Sequence, residues 1–309
     1  MKHYGAALLA MFFWSFSFVW FKIAYKAYEP MTVVLFRLTL AAAIILIFSK
    51  VTGKLEKLRK GDLGWMLLLS FFEPFMYFMG ESFGLKYISS TVAAVVISTI
   101  PLFTALAAWY FYKEKLTRTN FAGLLISFAG VTLVVFDTAY GLSASPLGLA
   151  LEFVAVLSTI GYAVVLKRMA ARYNAYTIIS YQNLLGVLMF LPFWLIFESS
   201  VTMQTPFNAE AFLAILKLAV FASILGFIFF TYSIRHLGIN RSNMFVNLIP
   251  VFVAIFSFLI LDERINMQKA AGILIVITGL FLAGMKRSSL MFPFKRSGVT
   301  IIQKKRHPD

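Results

Sequence analysis

The sequence predicts an all-α integral membrane protein of ten transmembrane helices, built as two inverted five-helix repeats with both termini on the cytoplasmic side. Three observations predict it. Of 309 residues, 61% are hydrophobic and only 13% are charged, with a mean hydropathy of +0.84. A soluble domain carries about 25% charged residues, and a bilayer explains the deficit. Ten apolar segments follow one another along the chain, of about the 20 residues needed to cross a hydrocarbon core of about 30 Å. Finally, one stretch occurs twice. Residues 85–135 slide onto residues 234–284 without a gap, and eleven of the paired residues are identical.

The ten segments are approximately 4–24, 30–49, 63–84, 88–112, 120–137, 147–166, 176–197, 211–234, 240–261 and 269–286. Their connections are short, which leaves no room for an extramembrane domain. The first begins Met1-Lys2-His3 and has no small-residue cleavage site before the second, so it is expected to be retained as a helix. The third carries Glu73, Tyr77 and Glu81 around Pro74. The fourth and fifth form one copy of the repeat and the ninth and tenth the other. Each copy is a helix with a central proline, a charged turn and a glycine-bearing helix. Pro101 pairs with Pro250, Glu114 with Glu263, Gly123 with Gly272 and Gly130 with Gly279. The remaining segments pair more weakly, Lys22 with Lys167 and Thr32 with Thr177.

Lysine and arginine set the orientation. With the N-terminus inside, 21 basic residues fall on the cytoplasmic side and six outside, and Arg37 lies within a span. The formal charge of +15 is therefore topology, and it does not argue for nucleic acid. Five spans separate the two copies, so the second enters the membrane in the opposite sense. Inverted repeats are an architecture of secondary transporters, with the substrate site near the midplane where the halves meet. Similar halves in opposite senses give two states of similar energy, one open to each side. The expected division is 1–139, 140–287 and a basic cytoplasmic tail, 288–309. The chain has no cysteine, which excludes disulfide, thiolate and Cys-based metal chemistry. Its histidines, His3, His236 and His307, lie near helix ends or in the tail and give no basis for a metal cluster. No cofactor is expected.

WSFSFVWFK in helix 1, LFR in helix 2, the P…KEKLT-x5-G-x6-G hairpin and its P…DERIN-x5-G-x6-G copy resemble the EamA-type drug/metabolite transporter superfamily. The resemblance covers about residues 4–286. It implies a membrane transporter of small organic molecules, often an exporter of amino acids or related metabolites. The chain departs from the family's pattern with Ser15, where a glycine after the tryptophan is common, and with two acids in helix 3.

Several residue types fit a transport site between helices 1, 3, 4, 6, 8 and 9. Glu73, Tyr77 and Glu81 recur at i, i+4 and i+8 and share a helix face. A charge at the bilayer centre costs about 2.5–3.5 kcal/mol on insertion scales, so that face must look into the protein or a wet cavity. Glu73 or Glu81 would bind an amine or carry a proton, and Pro74 would kink the helix beside Glu73. Helical rise puts Arg37 and Glu81 at similar depth and Glu73 deeper. Arg37 is thus expected to pair with Glu81 or to grip a substrate carboxylate, which leaves Glu73 free. Ser98 and Asn247 stand three residues before Pro101 and Pro250, and Asn243 one turn before Asn247. Their small polar side chains can serve freed carbonyls or a ligand, or bond between helices. Trp14, Ser17 and, from helix 6, Ser158, Thr159 and Tyr162 complete the candidates, with Trp14 placed to stack on a flat or cationic substrate. Glu152 is expected to snorkel from near a helix end.

The rest reads as frame. Gly123, Ser127, Gly130, Gly272 and Gly279 allow helices 5 and 10 to pack closely, and Glu114 and Glu263 serve as caps or turn partners. The expected activity is export of amino-acid-like or drug-like solutes across the inner cell membrane, by a monomer or homodimer. Membrane lipid would surround it, with anionic lipid at the tail. A sugar-phosphate or nucleotide-sugar translocator is the alternative, although it calls for several midplane basic residues. An intramembrane enzyme using Glu73 and Glu81 is the remote alternative; no HExxH motif is present.

Overall fold

A computed structural model describes residues 2–104, 118–137, 141–142, 144–238, 242–263 and 265–284. Among these residues, six helices are long and apolar enough to cross a membrane: α1 (Lys2–Ala24), α2 (Pro30–Val51), α3 (Leu63–Tyr87), α6 (Pro146–Ala170), α7 (Ala175–Phe197) and α8 (Ala209–Leu237). Shorter apolar helices are α4 (Ser90–Thr104), α5 (Arg118–Val135), α9 (Phe245–Leu261) and α10 (Met267–Gly284). A two-residue antiparallel pairing, Phe136–Asp137 with Gly141–Leu142, and a short helix, Ser199–Gln204, accompany them. The helices begin within a few residues of their expected starts. Glu114 and the basic tail lie outside the described residues.

The helices are apolar all round. Such a helix belongs in a core or a membrane, and both occur here. One side forms the core, with Phe18, Phe21, Leu38, Leu69, Leu166 and Phe190 almost completely enclosed. The other side leaves Ile47, Leu188, Ile196, Phe197 and Leu259 exposed. Apolar exposure on this scale needs a cover in a soluble monomer; here lipid supplies it.

Helix starts are set by local caps. Ser89, Ser145, Asn174 and Asn208 each accept from the backbone N–H three residues on, and Pro30 and Pro146 occupy first-turn positions, as the orphan N–H groups of a helix start require. Two caps come from far away in sequence. Glu198 accepts from Met31 N at 3.1 Å, Thr32 N at 2.7 Å and Thr32 Oγ1 at 2.8 Å. Glu263 accepts in the same way from Ser90 N, Thr91 N and Thr91 Oγ1. Each carboxylate meets the positive end of a helix dipole and ties two distant segments together. The cap expected of Glu263 is therefore present.

Small residues set the closest approaches. A Cβ on Gly130 would lie 2.6 Å from Val276 N, and one on Gly279 would lie 2.4 Å from Ser127 N. Only glycine permits backbones this close, and α5 runs against α10 on these residues. Helix α2 packs along α7 in the same bundle.

The Glu198 cap is testable. Glu198→Ala removes the acceptor from two backbone donors at the start of α2, and each buried donor left unsatisfied costs about 1–3 kcal/mol. Thermal unfolding in detergent should show a clearly lowered midpoint, with Glu198→Gln intermediate.

Candidate functional site

Helix α3 is not one helix. Residues Phe71–Met76 form a wide π-like turn, and within it Glu73 has an extended backbone (φ −147, ψ 117). The expected kink at Pro74 is thus a full break. Neighbours are shaped for it. Phe72 fits where a side chain on Gly161 of α6 would stand, with a ring atom 2.4 Å from the ideal Cβ, and Pro74 fills the notch at Gly186 of α7. Ser158 of α6 donates to the Phe72 carbonyl at 2.7 Å, a second bond beside the one that this carbonyl accepts from Tyr77 N, and it ties the wide turn to α6.

The break opens onto a cavity with about 670 Å³ of space not filled by atoms, part of it open to solvent. It lies between α1, α3, α4, α6, α8 and the start of α9, with Arg37 reaching in from α2. Its apolar wall is Trp14 and Phe18 with Phe78, Phe227 and Phe230. Trp14 stacks at an angle on Phe230, with centroids 4.8 Å apart, and its Nε1 donates to the Ala222 carbonyl at 3.2 Å. The indole fits because position 226 is glycine; a Cβ there would lie 2.7 Å from Nε1.

Arg37, Glu73, Tyr77, Glu81, Thr159, Tyr162, Ser17 and Asn243 form the polar part of the lining. Some are already engaged. Tyr77 donates to Glu81 Oε1 at 2.8 Å, Ser17 donates to the Trp14 carbonyl at 2.6 Å, and Tyr162 donates to Gln182 Oε1 at 3.5 Å. Three are not. Asn243 and Glu73 have no hydrogen bond or ion pair to any described residue, and Glu73 is only 6% exposed. Arg37 is 2% exposed. Its Nε donates to Ser223 Oγ at 2.9 Å, its guanidinium lies 4.2 Å from the Phe78 ring centroid, and its buried Nη1 has no partner among the described residues.

The Arg37–Glu81 ion pair expected from helical depth is absent: no carboxylate among the described residues lies within 4.0 Å of Arg37. Equal depth does not bring two side chains together. Tyr77 takes Glu81, while Ser223 and two phenylalanine faces take Arg37, a cation–π setting that supports a cation without neutralising it. Ser98 and Asn247 do not line the cavity. The backbone turns at Ser98 just before Pro101, and its hydroxyl folds back to donate to the Val95 carbonyl. Asn247 is buried, its Oδ1 has no partner among the described residues, and it is not part of the lining although Val246 and Ile249 are. Glu152 does not snorkel; it is fully buried.

The sequence reading missed Phe227, Ser223 and the notch at Gly226. Ser223 was discoverable as one of few polar residues in the run LAVFASILGFIFF. Chemically, the cavity offers an unpaired guanidinium N–H, an unpaired carboxyl, an amide and an aromatic wall. It can receive a carboxylate, an amine or a proton. No cluster of three metal-ligating side chains occurs among the described residues.

Comparison with known proteins gives a consistent result. The model of the EamA-like transporter family matches residues 1–136 and 146–285. An uncharacterized transporter of Archaeoglobus fulgidus is 28% identical over 283 residues, covering 90% of this chain and 96% of that protein. The uncharacterized transporter YcxC of Bacillus subtilis is 28% identical over 286 residues, covering 90% and 91%. A solved crystal structure shares the fold with a TM-score of 0.67 at 18% identity, covering 90% of this chain and 94% of its own.

The Trp14 wall gives a prediction. Gly226→Val must push the indole out of its seat, so the tryptophan emission of the purified protein should shift. The same substitution in a Trp14→Phe background should leave the emission of the remaining four of the five tryptophans unmoved.

Proposed function

This chain belongs to the EamA-like transporter family, and from that premise we propose that it is a secondary transporter exporting small organic metabolites, amino-acid-like or drug-like, by alternating access. One observation carries the reading. The Arg37 Nη1 atom and the Glu73 carboxyl stand at one cavity without a partner among the described residues. An unpaired buried charge is costly, and a substrate of complementary charge, or a proton at Glu73, removes the cost. A carboxylate at Arg37 and an amine near Glu73 is the arrangement an amino-acid-like solute would adopt.

In this reading the chain makes ten spans, the six long helices and the four shorter ones. They form two inverted halves, 1–139 and 140–287, with a basic cytoplasmic tail, 288–309, in the inner cell membrane. The glycine contacts of α5 with α10 and the packing of α2 on α7 support it, because each joins helices at matching places in the two halves. Glu73 is the coupling acid rather than Glu81, since Tyr77 already occupies Glu81. A sugar-phosphate translocator fits less well: Arg37 is the one basic residue among the described lining, and a phosphate ester calls for more.

Two experiments test the reading in proteoliposomes. Glu73→Gln should abolish uptake driven by a proton gradient while leaving substrate counterflow, and gradient-driven uptake at the wild-type rate would remove Glu73 from coupling. Arg37→Gln should weaken the apparent affinity for carboxylate-bearing substrates about 10- to 100-fold, the worth of a charge-assisted hydrogen bond of about 1.5–3 kcal/mol. Equal loss for uncharged substrates would make Arg37 structural.

A further inference from the structure

Away from the cavity, one acidic side chain has no use in the mechanism above. Glu152 of α6 is 0% exposed, and both of its carboxyl oxygens are buried without a hydrogen-bond partner among the described residues. It lies in the seam between α3 and α6. Its room comes from Gly84 of α3, where an added Cβ would stand 2.8 Å from Oε1. The seam is tight on both sides of it. A Cβ on Gly80 would lie 2.4 Å from the Leu151 carbonyl, and one on Gly148 would lie 2.6 Å from Ile88. Leu85, Ala155 and Val156 around it are fully enclosed.

The charged groups facing Glu152 are few. From α3 there is Glu81, a like charge occupied by Tyr77. From α1 there is Lys22, near enough for the charges to feel each other but forming no ion pair within 4.0 Å. Lys22 Nζ instead donates to the Leu85 and Ile88 carbonyls at 2.6 and 2.7 Å, which hold the end of α3, and it also senses Glu263. An ionised carboxylate with no donor and no cation within 4.0 Å among the described residues is costly at such burial, and a proton removes that cost.

We infer that Glu152 is a proton-binding site separate from the cavity. It takes its proton from water at one carboxyl oxygen when the α3–α6 seam admits water, and it is locked as the neutral acid when the seam closes to the arrangement seen here. A proton held more tightly in the closed seam favours that conformation. Proton binding at Glu152 and the packing of α3 on α6 are therefore one event, independent of whether Glu73 couples transport.

Infrared spectroscopy of the full-length protein in lipid at neutral pH tests this without any transport assay. Subtracting the Glu152→Gln spectrum from the wild type should reveal the C=O stretch of a protonated carboxylic acid. The same band should persist in Glu73→Gln. A difference spectrum showing the paired stretches of a carboxylate, or no carboxyl band at all, overturns the inference. Stability supplies a second reading. An amide is a neutral mimic of a neutral acid, so Glu152→Gln should fold and melt at the wild-type temperature. A variant that fails to fold, or melts far lower, shows that the native group is charged and overturns the inference equally.

Discussion

Within a bilayer, every polar group that leaves the helix ladder must find a partner inside the protein. The break in α3 at Glu73 is where this chain meets that demand most openly. An extended residue and a proline in the middle of a spanning helix free backbone carbonyls and turn an acid inward. The break persists because its surroundings accept it. Gly161 and Gly186 leave space for Phe72 and Pro74, and the Ser158 hydroxyl answers the Phe72 carbonyl. The cavity lies beside this break, with Glu73 in its lining.

The same economy governs the helix ends. Glu198 and Glu263 each serve the first turn of a helix far away in sequence, so they are stabilising and connecting at once. The charged groups at the cavity are treated differently. Arg37 is held by a hydroxyl and by aromatic faces, neither of which cancels its charge, and Glu73 is held by nothing among the described residues. Glu198 and Glu263 are spent on helix ends, whereas the charged groups at the cavity are partly or wholly free. That contrast separates frame from site.

Most of the frame was legible in the sequence. Apolar runs and the repeated hairpin placed the helices, and the paired glycines placed the contact of α5 with α10. Glu73, Tyr77 and Arg37 stood out because charge and hydroxyl are rare in such runs, and they meet at one cavity with Trp14, Tyr162 and Asn243. What was not legible depended on rotation about helix axes. Depth along the membrane follows from counting residues, and it suggested an Arg37–Glu81 pair; which way each side chain turns does not follow from counting. Ser98 and Asn247 failed for the same reason, since proximity to a proline fixes level but not facing. The identity of α3 as two helices with an extended joint also escaped, because a proline announces a kink without giving its size.

In the proposed transporter, Arg37 and Glu73 face a space that water and solutes reach from either side of the membrane in turn. The natural absence of cysteine makes it directly measurable. A single Thr159→Cys variant places a thiol on the cavity wall, and membrane-impermeant thiol reagents can be applied to each face of sealed vesicles separately. The account predicts labelling from both faces in the working protein, and its suppression by a transported substrate. Labelling by neither reagent, while a lipid-soluble one reacts, would contradict it.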